Sequence, residues 1–391
     1  MRIEDFKLER WMSRWETRVT HDIAESGILP MSVNDLLDLL PEAERAETRD
    51  RLLALPLGYS EARGTEALRE ALAATYEGTT AENVLITTGA IEANYLLFNV
   101  LLQPGDEVVT IDPAYQQVQS VPAAIGADVK FWRIRSDDGF RFDLEDFERL
   151  LTPRTRLISI NTPHNPTGAI LDDEALQHVY EVAASMGATV LSDEAYRWLD
   201  IPGGDAMPSP MRNRGELGIS VGTVSKPFGV PGLRIGWIVA PEPVIQRCWA
   251  LRDYITLSPG KLNDQLALSA VEHRDAIRAR THRIVAANMA TADRWFADNA
   301  ELASWVRPRA GLLALMRYHL DIPSSDLADL LAERYSVMLA PGSAFGFEHH
   351  LRIGVGQNPA IFAEGLDRTR QCFDDLQARG VRRLAPRAPG S

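Results

Sequence analysis

Two cysteines, Cys248 and Cys372, are all that this chain of 391 residues contains, and neither belongs to a CxxC pattern. A disulfide framework and a thiolate metal site are therefore not expected, and a reducing compartment is. Lysine is nearly as scarce. Lys7, Lys130, Lys226 and Lys261 are the only four among 41 Lys and Arg, so chemistry that needs a primary amine has four candidates. No stretch approaches the roughly 18 consecutive apolar residues of a membrane span. The start, Met1 to Lys7, carries acids where a signal peptide needs an apolar run, which predicts a cytoplasmic protein with no membrane partner. Basic charge is in deficit, 41 against 54 Asp and Glu, for a net charge of -13. That balance repels polyphosphate backbones and anionic lipid and argues against nucleic acid as a partner. GxGxxG, GxxxxGK[ST], GxSxG and HExxH patterns are also missing, so dinucleotide, P-loop and α/β-hydrolase readings lack their signatures and no metal site is expected.

What is present is an alternating middle. Short, β-branched apolar runs begin at Val84, Glu107, Val129, Arg156, Thr189, Ile219 and Ile235. Segments with apolar residues every three or four positions separate them, among them 65–76, 91–102, 144–151 and 172–186. This rhythm predicts an α/β fold with a mainly parallel sheet, whose ligands sit beyond the carboxyl ends of the strands. A long helical pattern over 261–299 and strand-like runs at 311–318, 336–340 and 351–355 predict a second, smaller unit, with a domain change near residue 275. The stretch before about residue 56 reads as an arm plus a helix.

Residues just after the strand runs carry the chemistry. Gly89-Ala90-Ile91 leads a strand into a helix, where free backbone N–H groups suit a phosphate. Asn161 to Gly168, with two Pro and two Asn, is a rigid loop or a structural turn. Asp193 ends an apolar strand, where an acid either caps a helix or holds a cation. Lys226 lies in an apolar turn rich in Gly and Pro, with Arg234 eight residues on. Such a neighbourhood is expected to desolvate the amine and lower its pKa, as Schiff-base chemistry needs.

Taken together, Asn-Pro-Thr-Gly at 165–168, Asp-Glu-Ala-Tyr at 193–196 and Ser-Lys at 225–226 followed by Arg234 resemble the fold-type I, pyridoxal-phosphate-dependent aminotransferases of class I/II. The likeness runs from about Tyr59 to Arg352. It implies a three-layer αβα large domain with a seven-stranded type of sheet plus a smaller α+β C-terminal domain. On that scheme residues 1–56 form an arm and helix packing on the small domain, 57–275 the large cofactor-binding domain, 276–380 the small domain and 381–391 a disordered tail.

The resemblance also assigns roles. Lys226 is the Schiff-base lysine for pyridoxal 5'-phosphate, and Asp193 keeps the pyridine nitrogen protonated. Asn165 and Tyr196 meet the phenolic oxygen, and Tyr115 stacks on the ring. Gly89, Ala90, Ile91, Thr223, Ser225 and Arg234 hold the phosphate. Tyr59 reaches the phosphate of a partner subunit, which implies a homodimer with shared sites. Arg352 clamps the substrate α-carboxylate, with Asn165 beside it. The stretch Asp22 to Pro30 departs from the family's glycine-rich opening; its Glu25 and Gly27 are expected to face substrate, with Glu25, and less so Asp22, suited to a cationic side chain. The implied activity is transfer of an α-amino group from an amino acid to a 2-oxo acid. The segments 228–237 and 252–258 also look like the capreomycidine-synthase branch. They leave open an elimination, cyclisation or substitution on an arginine-type or other amino acid in natural-product biosynthesis.

Overall fold

The computed structural model describes residues 2–385. All seven expected runs are strands of one sheet: β2 (Val84–Thr87), β3 (Glu107–Asp112), β4 (Asp128–Arg133), β5 (Thr155–Asn161), β6 (Thr189–Asp193), β7 (Gly218–Thr223) and β8 (Gly236–Val239). Their order is β2-β8-β7-β6-β5-β3-β4, and only β8 runs antiparallel to its neighbours. Helices cover both faces, so the inner strand β7 and even the edge strand β2 are buried along their whole length, whereas the other edge strand, β4, exposes both of its ends. The second sheet is antiparallel, ordered β12 (Ala340–Pro341), β13 (His350–Gly354), β10 (Leu313–Tyr318), β9 (Ala303–Trp305).

Thirteen α-helices are present among the described residues. Three lie in the N-terminal stretch where one was expected: α1 (Lys7–Trp15), α2 (Val33–Leu37) and α3 (Glu42–Leu53). The large sheet carries α4 (Glu66–Ala73), α5 (Gly89–Leu101), α6 (Gln117–Ile125), α7 (Leu144–Leu150), α8 (Asp173–Ser185) and α9 (Glu242–Arg252). Then come α10 (Lys261–Glu272), α11 (Arg274–Asp298), α12 (Ser324–Tyr335) and α13 (Pro359–Ala378). The single long helix expected over 261–299 is two. His273 leaves helical geometry with ψ 23°, and its ring bonds back to Ser269 O. In the stretch 381–391, expected to be disordered, Leu384 N–H donates to His319 O and Arg382 pairs with Asp321. This corrects the expectation for 381–385; residues 386–391 lie outside the described residues.

The N-terminal segment ties the two sheets together. β1 (His21–Asp22) pairs in parallel with β11 (Val337–Met338). The chain then crosses to β13, where Gly354 N–H donates to Ile23 O, and on to the lysine turn, where Ile28 N–H donates to Lys226 O. α1 buries Leu8, Trp11 and Met12 in the apolar core of the smaller sheet. Its two indole N–H groups, of Trp11 and Trp15, both donate to Asp329 Oδ1 on α12, at 2.8 and 2.9 Å. On the other side, Glu4 accepts from Ser120, Lys7 N–H donates to Gln116, and Phe6 packs on Tyr115 at 4.7 Å. Asp329→Ala strands both indole donors and is expected to destabilise the fold by about 1–3 kcal/mol. Limited proteolysis checks it: cleavage near α1 should rise sharply, and an unchanged digest would mean that α1 is held by apolar contact alone.

Candidate active site

The carboxyl ends of β5, β6 and β7 and the start of α5 meet the inner edge of the second sheet around a cavity of 270 Å³. Asn161 and Asp193 stand opposite each other in register at the ends of β5 and β6. The Asn161 side chain locks that end, donating to Asp193 O at 2.8 Å and accepting from Asn165 N–H at 2.7 Å. Asn165 is thereby fixed at the cavity wall.

Asp193 is held by Asn94 Nδ2 at 2.8 Å and by Ala195 N–H at 3.0 Å. Among the described residues no cationic side chain pairs with it, and burial pushes its pKa up. A carboxylate so placed, lining a cavity, favours a cation there. Across the cavity Arg352, on β13, is 2% exposed. It donates to Ala24 O at 2.9 Å and to Asn165 Oδ1 at 3.3 Å, while its Nε has no partner. Asp22 and Glu25 feel its charge without reaching ion-pair distance. Among the described residues Arg352 is thus a buried guanidinium with no carboxylate at ion-pair distance, and its fork geometry suits a bidentate anion.

The third corner is an anion cup. Gly89 opens α5 with φ +76°, and a Cβ on it would lie 2.7 Å from the Arg234 guanidinium. A Cβ on Gly236 would lie 2.4 Å from the Gly89 carbonyl carbon, so β8 and the helix start approach as only glycines permit. The N–H groups of Ala90 and Ile91, in the first turn, have no partner within the helix. Thr223 Oγ1 stands 3.0 Å from Ser225 Oγ, and both hydroxyls line the same cavity as Arg234.

Lys226 stands between these corners. Its Nζ is 3.1 Å from Glu25 Oε1. Burial opposes its charge, but Glu25 and Tyr196 outweigh burial and hold the pKa above the ordinary lysine value. The lowered pKa expected from the apolar turn is therefore corrected: that expectation lacked the carboxylate brought from 201 positions away. Glu25 is pulled down to about 2, chiefly by the Lys226 ammonium. Tyr196 is buried and Tyr115 partly so; Tyr115 donates to Glu9 Oε1 of α1 at 2.7 Å.

The structure gathers Gly89, Ala90, Ile91, Tyr115, Asn165, Asp193, Tyr196, Thr223, Ser225, Lys226, Arg234, Glu25 and Arg352 around one cavity. Gly27 lies just behind it, against the Lys226 stem. Tyr59 does not join them and is 87% exposed. Asp22 also stays outside, and its Oδ1 accepts from Ala24 and Glu25 N–H groups, shaping the turn. Sequence reasoning missed Asn94, Ser26, the α1 residues Glu9 and Met12, and Glu16 just after that helix, all on the cavity wall. Asn94 is legible in hindsight as a lone amide within an apolar helix; nothing local marks α1 as a wall.

Asp22 generates a pH prediction. Burial raises its pKa to about 6 from 3.8, so the folded chain holds this proton more tightly than the unfolded chain. Stability should therefore fall as pH rises through that window and stay lower above it. Asp22→Asn keeps the turn acceptor without the charge and is expected to stabilise by about 1 kcal/mol above the window, with no gain near its acid end. Urea unfolding on both sides of the window checks this; an equal effect at both would remove Asp22 as the cause.

Residues 26–368 match the model of the family described as aminotransferase class I and II. Capreomycidine synthase of Streptomyces vinaceus is 34% identical over 351 residues, 89% of this chain and 88% of that protein. Arginine–pyruvate transaminase of Pseudomonas aeruginosa is 29% identical, covering 84% of this chain and 85% of its own. The crystal structure of a PLP-dependent aminotransferase from Streptococcus suis superposes with a TM-score of 0.90 at 31% identity, over 96% of this chain and 99% of that one. The PLP-dependent cyclase OrfR superposes at 0.87 and 32%, over 96% and 98%. With its seven-stranded sheet, its anion cup and its lone cavity lysine, the chain belongs to the pyridoxal-phosphate-dependent aminotransferase class I and II family.

Proposed function

We propose that this chain transfers the α-amino group of an amino acid to a 2-oxo acid, with pyridoxal 5'-phosphate carried on Lys226. The observation that carries this reading is that Asp193, hydrogen-bonded but without a cation among the described residues, and Arg352, whose Nε has no partner, line the same cavity as Lys226. The residues present fit the cofactor: an anion cup that a Cβ would fill, a carboxylate lacking a cation, and an amine. When bound, the cofactor supplies an electron sink for the bonds at the substrate Cα.

The chain's own groups do the rest. Arg234, Thr223, Ser225 and the N–H groups at Ala90 and Ile91 hold the phosphate. Asp193, itself steadied by Asn94, keeps a proton on the ring nitrogen. Asn165 and Tyr196 orient the phenolic oxygen, and Tyr115 packs on the ring, tethered by Glu9. Arg352 aligns the α-carboxylate. Lys226 Nζ, when free, would take the proton from the substrate Cα and give it back to the carbon on the other side of the amino nitrogen.

Glu9 of α1 and Glu16 just after that helix join Glu25 on the cavity wall, which supports an amino donor with a cationic side chain. Arginine–pyruvate transaminase and capreomycidine synthase, by their names, are concerned with such compounds. The second of these, with the cyclase OrfR, favours one further reading: elimination or cyclisation of an arginine-type amino acid in specialised metabolism. Tyr59 stands 87%, Leu57 82% and Tyr254 89% exposed, which supports a homodimer in which Tyr59 completes the partner's phosphate site. Among the described residues no helix is long and apolar enough to cross a membrane. A cytoplasmic enzyme, with the large cofactor-binding domain over 57–275 and the small one over 276–380, completes the proposal.

Lys226→Ala should abolish the absorbance that borohydride traps on a lysine; labelling of a different lysine would refute the assignment. Arg352→Ala should raise KM for α-amino acids about 100-fold, the equivalent of about 3 kcal/mol for a lost bidentate charged contact. An unchanged KM would place the clamp elsewhere. Adding amino acids singly and following products by mass spectrometry separates the two reactions. Release of a 2-oxo acid with the aminated cofactor means transamination, and a cyclised or deaminated product without it means the cyclase reading.

A further inference from the structure

Glu25 sits on a segment that joins both sheets and ends on the Lys226 carbonyl. Its Oε1 accepts from Lys226 Nζ at 3.1 Å, from Gly27 N–H at 2.9 Å and from Ser26 Oγ at 3.4 Å. Gly27 packs beside the pair: a Cβ there would make ordinary van der Waals contact, 3.4 Å from Glu25 Oε1 and 3.6 Å from Lys226 Cδ. Ile28 N–H then fastens to the Lys226 carbonyl. The carboxylate has no other cation at ion-pair distance among the described residues. The charged and titratable groups facing this pair are Tyr196 and Arg352 around the amine, Asp193 behind Tyr196, and Asp22 with Arg352 around the carboxylate.

We propose that Glu25 is the proton-holding partner of Lys226, keeping a positive charge on that nitrogen both in its linkage to the cofactor and after it has taken the substrate proton. The inference rests on the assignment of Lys226 made above. In the proton step the Cα–H bond breaks, its electron pair stays with the substrate and cofactor, and an N–H bond forms on Nζ. Glu25 exchanges no proton and remains ionised, in keeping with its lowered pKa. Its charge makes the nitrogen a stronger base, and makes the ammonium persist until the proton is returned to carbon or handed to a leaving group.

The test uses the holoenzyme. The pH at which the visible band of the protonated Lys226–cofactor linkage is lost is measured for the wild type, Glu25→Gln and Glu25→Asp. An opposite charge at this distance shifts a pKa by about 1–3 units, so Glu25→Gln should lose the protonated band at a pH lower by at least about one unit. Glu25→Asp, with its charge withdrawn by one methylene, should fall between the two. The arm of the rate profile that depends on neutral Lys226 should move to lower pH in the same order. Where Gln impairs cofactor loading, the Asp variant alone decides, through a shifted or an unshifted titration. A titration unmoved by either substitution overturns the proposal, and with a raised KM for basic amino acids it returns Glu25 to side-chain recognition. If wild-type enzyme shows no borohydride-trapped linkage at Lys226, the functional reading itself fails, an outcome distinct from an unshifted titration.

Discussion

Two buried charges without an ion-pair partner among the described residues govern this protein. Asp193 has hydrogen bonds but no cation there, and Arg352 has a carbonyl and an amide but no carboxylate. Charges withdrawn from water are unfavourable unless compensated. On the function proposed above, pyridoxal phosphate carrying an amino acid would offer a protonated ring nitrogen to Asp193, a carboxylate to Arg352 and a phosphate to the helix start at Gly89. Most of the remaining architecture serves to hold these groups at fixed separations.

That holding is done by the crossing segment after β1. It adds to β11, passes β13 and ends on the Lys226 carbonyl, so the smaller sheet and the lysine turn share one set of backbone hydrogen bonds. Arg352 is placed by the smaller sheet, whereas Asp193 and Lys226 are placed by the larger. The helix α1 closes the same gap from outside, with Asp329 on one side and Gln116 on the other. A site made between two sheets requires such stitching, because neither sheet alone fixes the distance between its charges.

The lysine itself illustrates how a long-range contact reverses a local inference. An apolar turn, rich in Gly and Pro, disfavours an ammonium, and burial does act in that direction here. Glu25 outweighs it at 3.1 Å. Proton affinity at this nitrogen is then a balance of opposing effects rather than a simple consequence of desolvation, which gives a single carboxylate leverage over the chemistry.

Much of this was legible in the linear order of residues. Short, β-branched apolar runs located every strand of the large sheet, because strands covered by helices on both faces bury most of their side chains. Lys226 stood out because lysine is rare here and its surroundings are apolar; Asp193 stood out because an acid ended such a strand. Those properties are local, and the sequence by itself determined them. The helix break at His273, the pairing of 381–385 and the three N-terminal helices depend on weak dihedral preferences and on distant partners. So do the placing of Glu9, Glu16 and Asn94 on the cavity wall and the ion pair of Glu25 with Lys226. Tertiary structure decided these, because electrostatic and hydrogen-bond energies depend on distance in space, and no local pattern encodes which residues a chain will bring within 3 Å of one another.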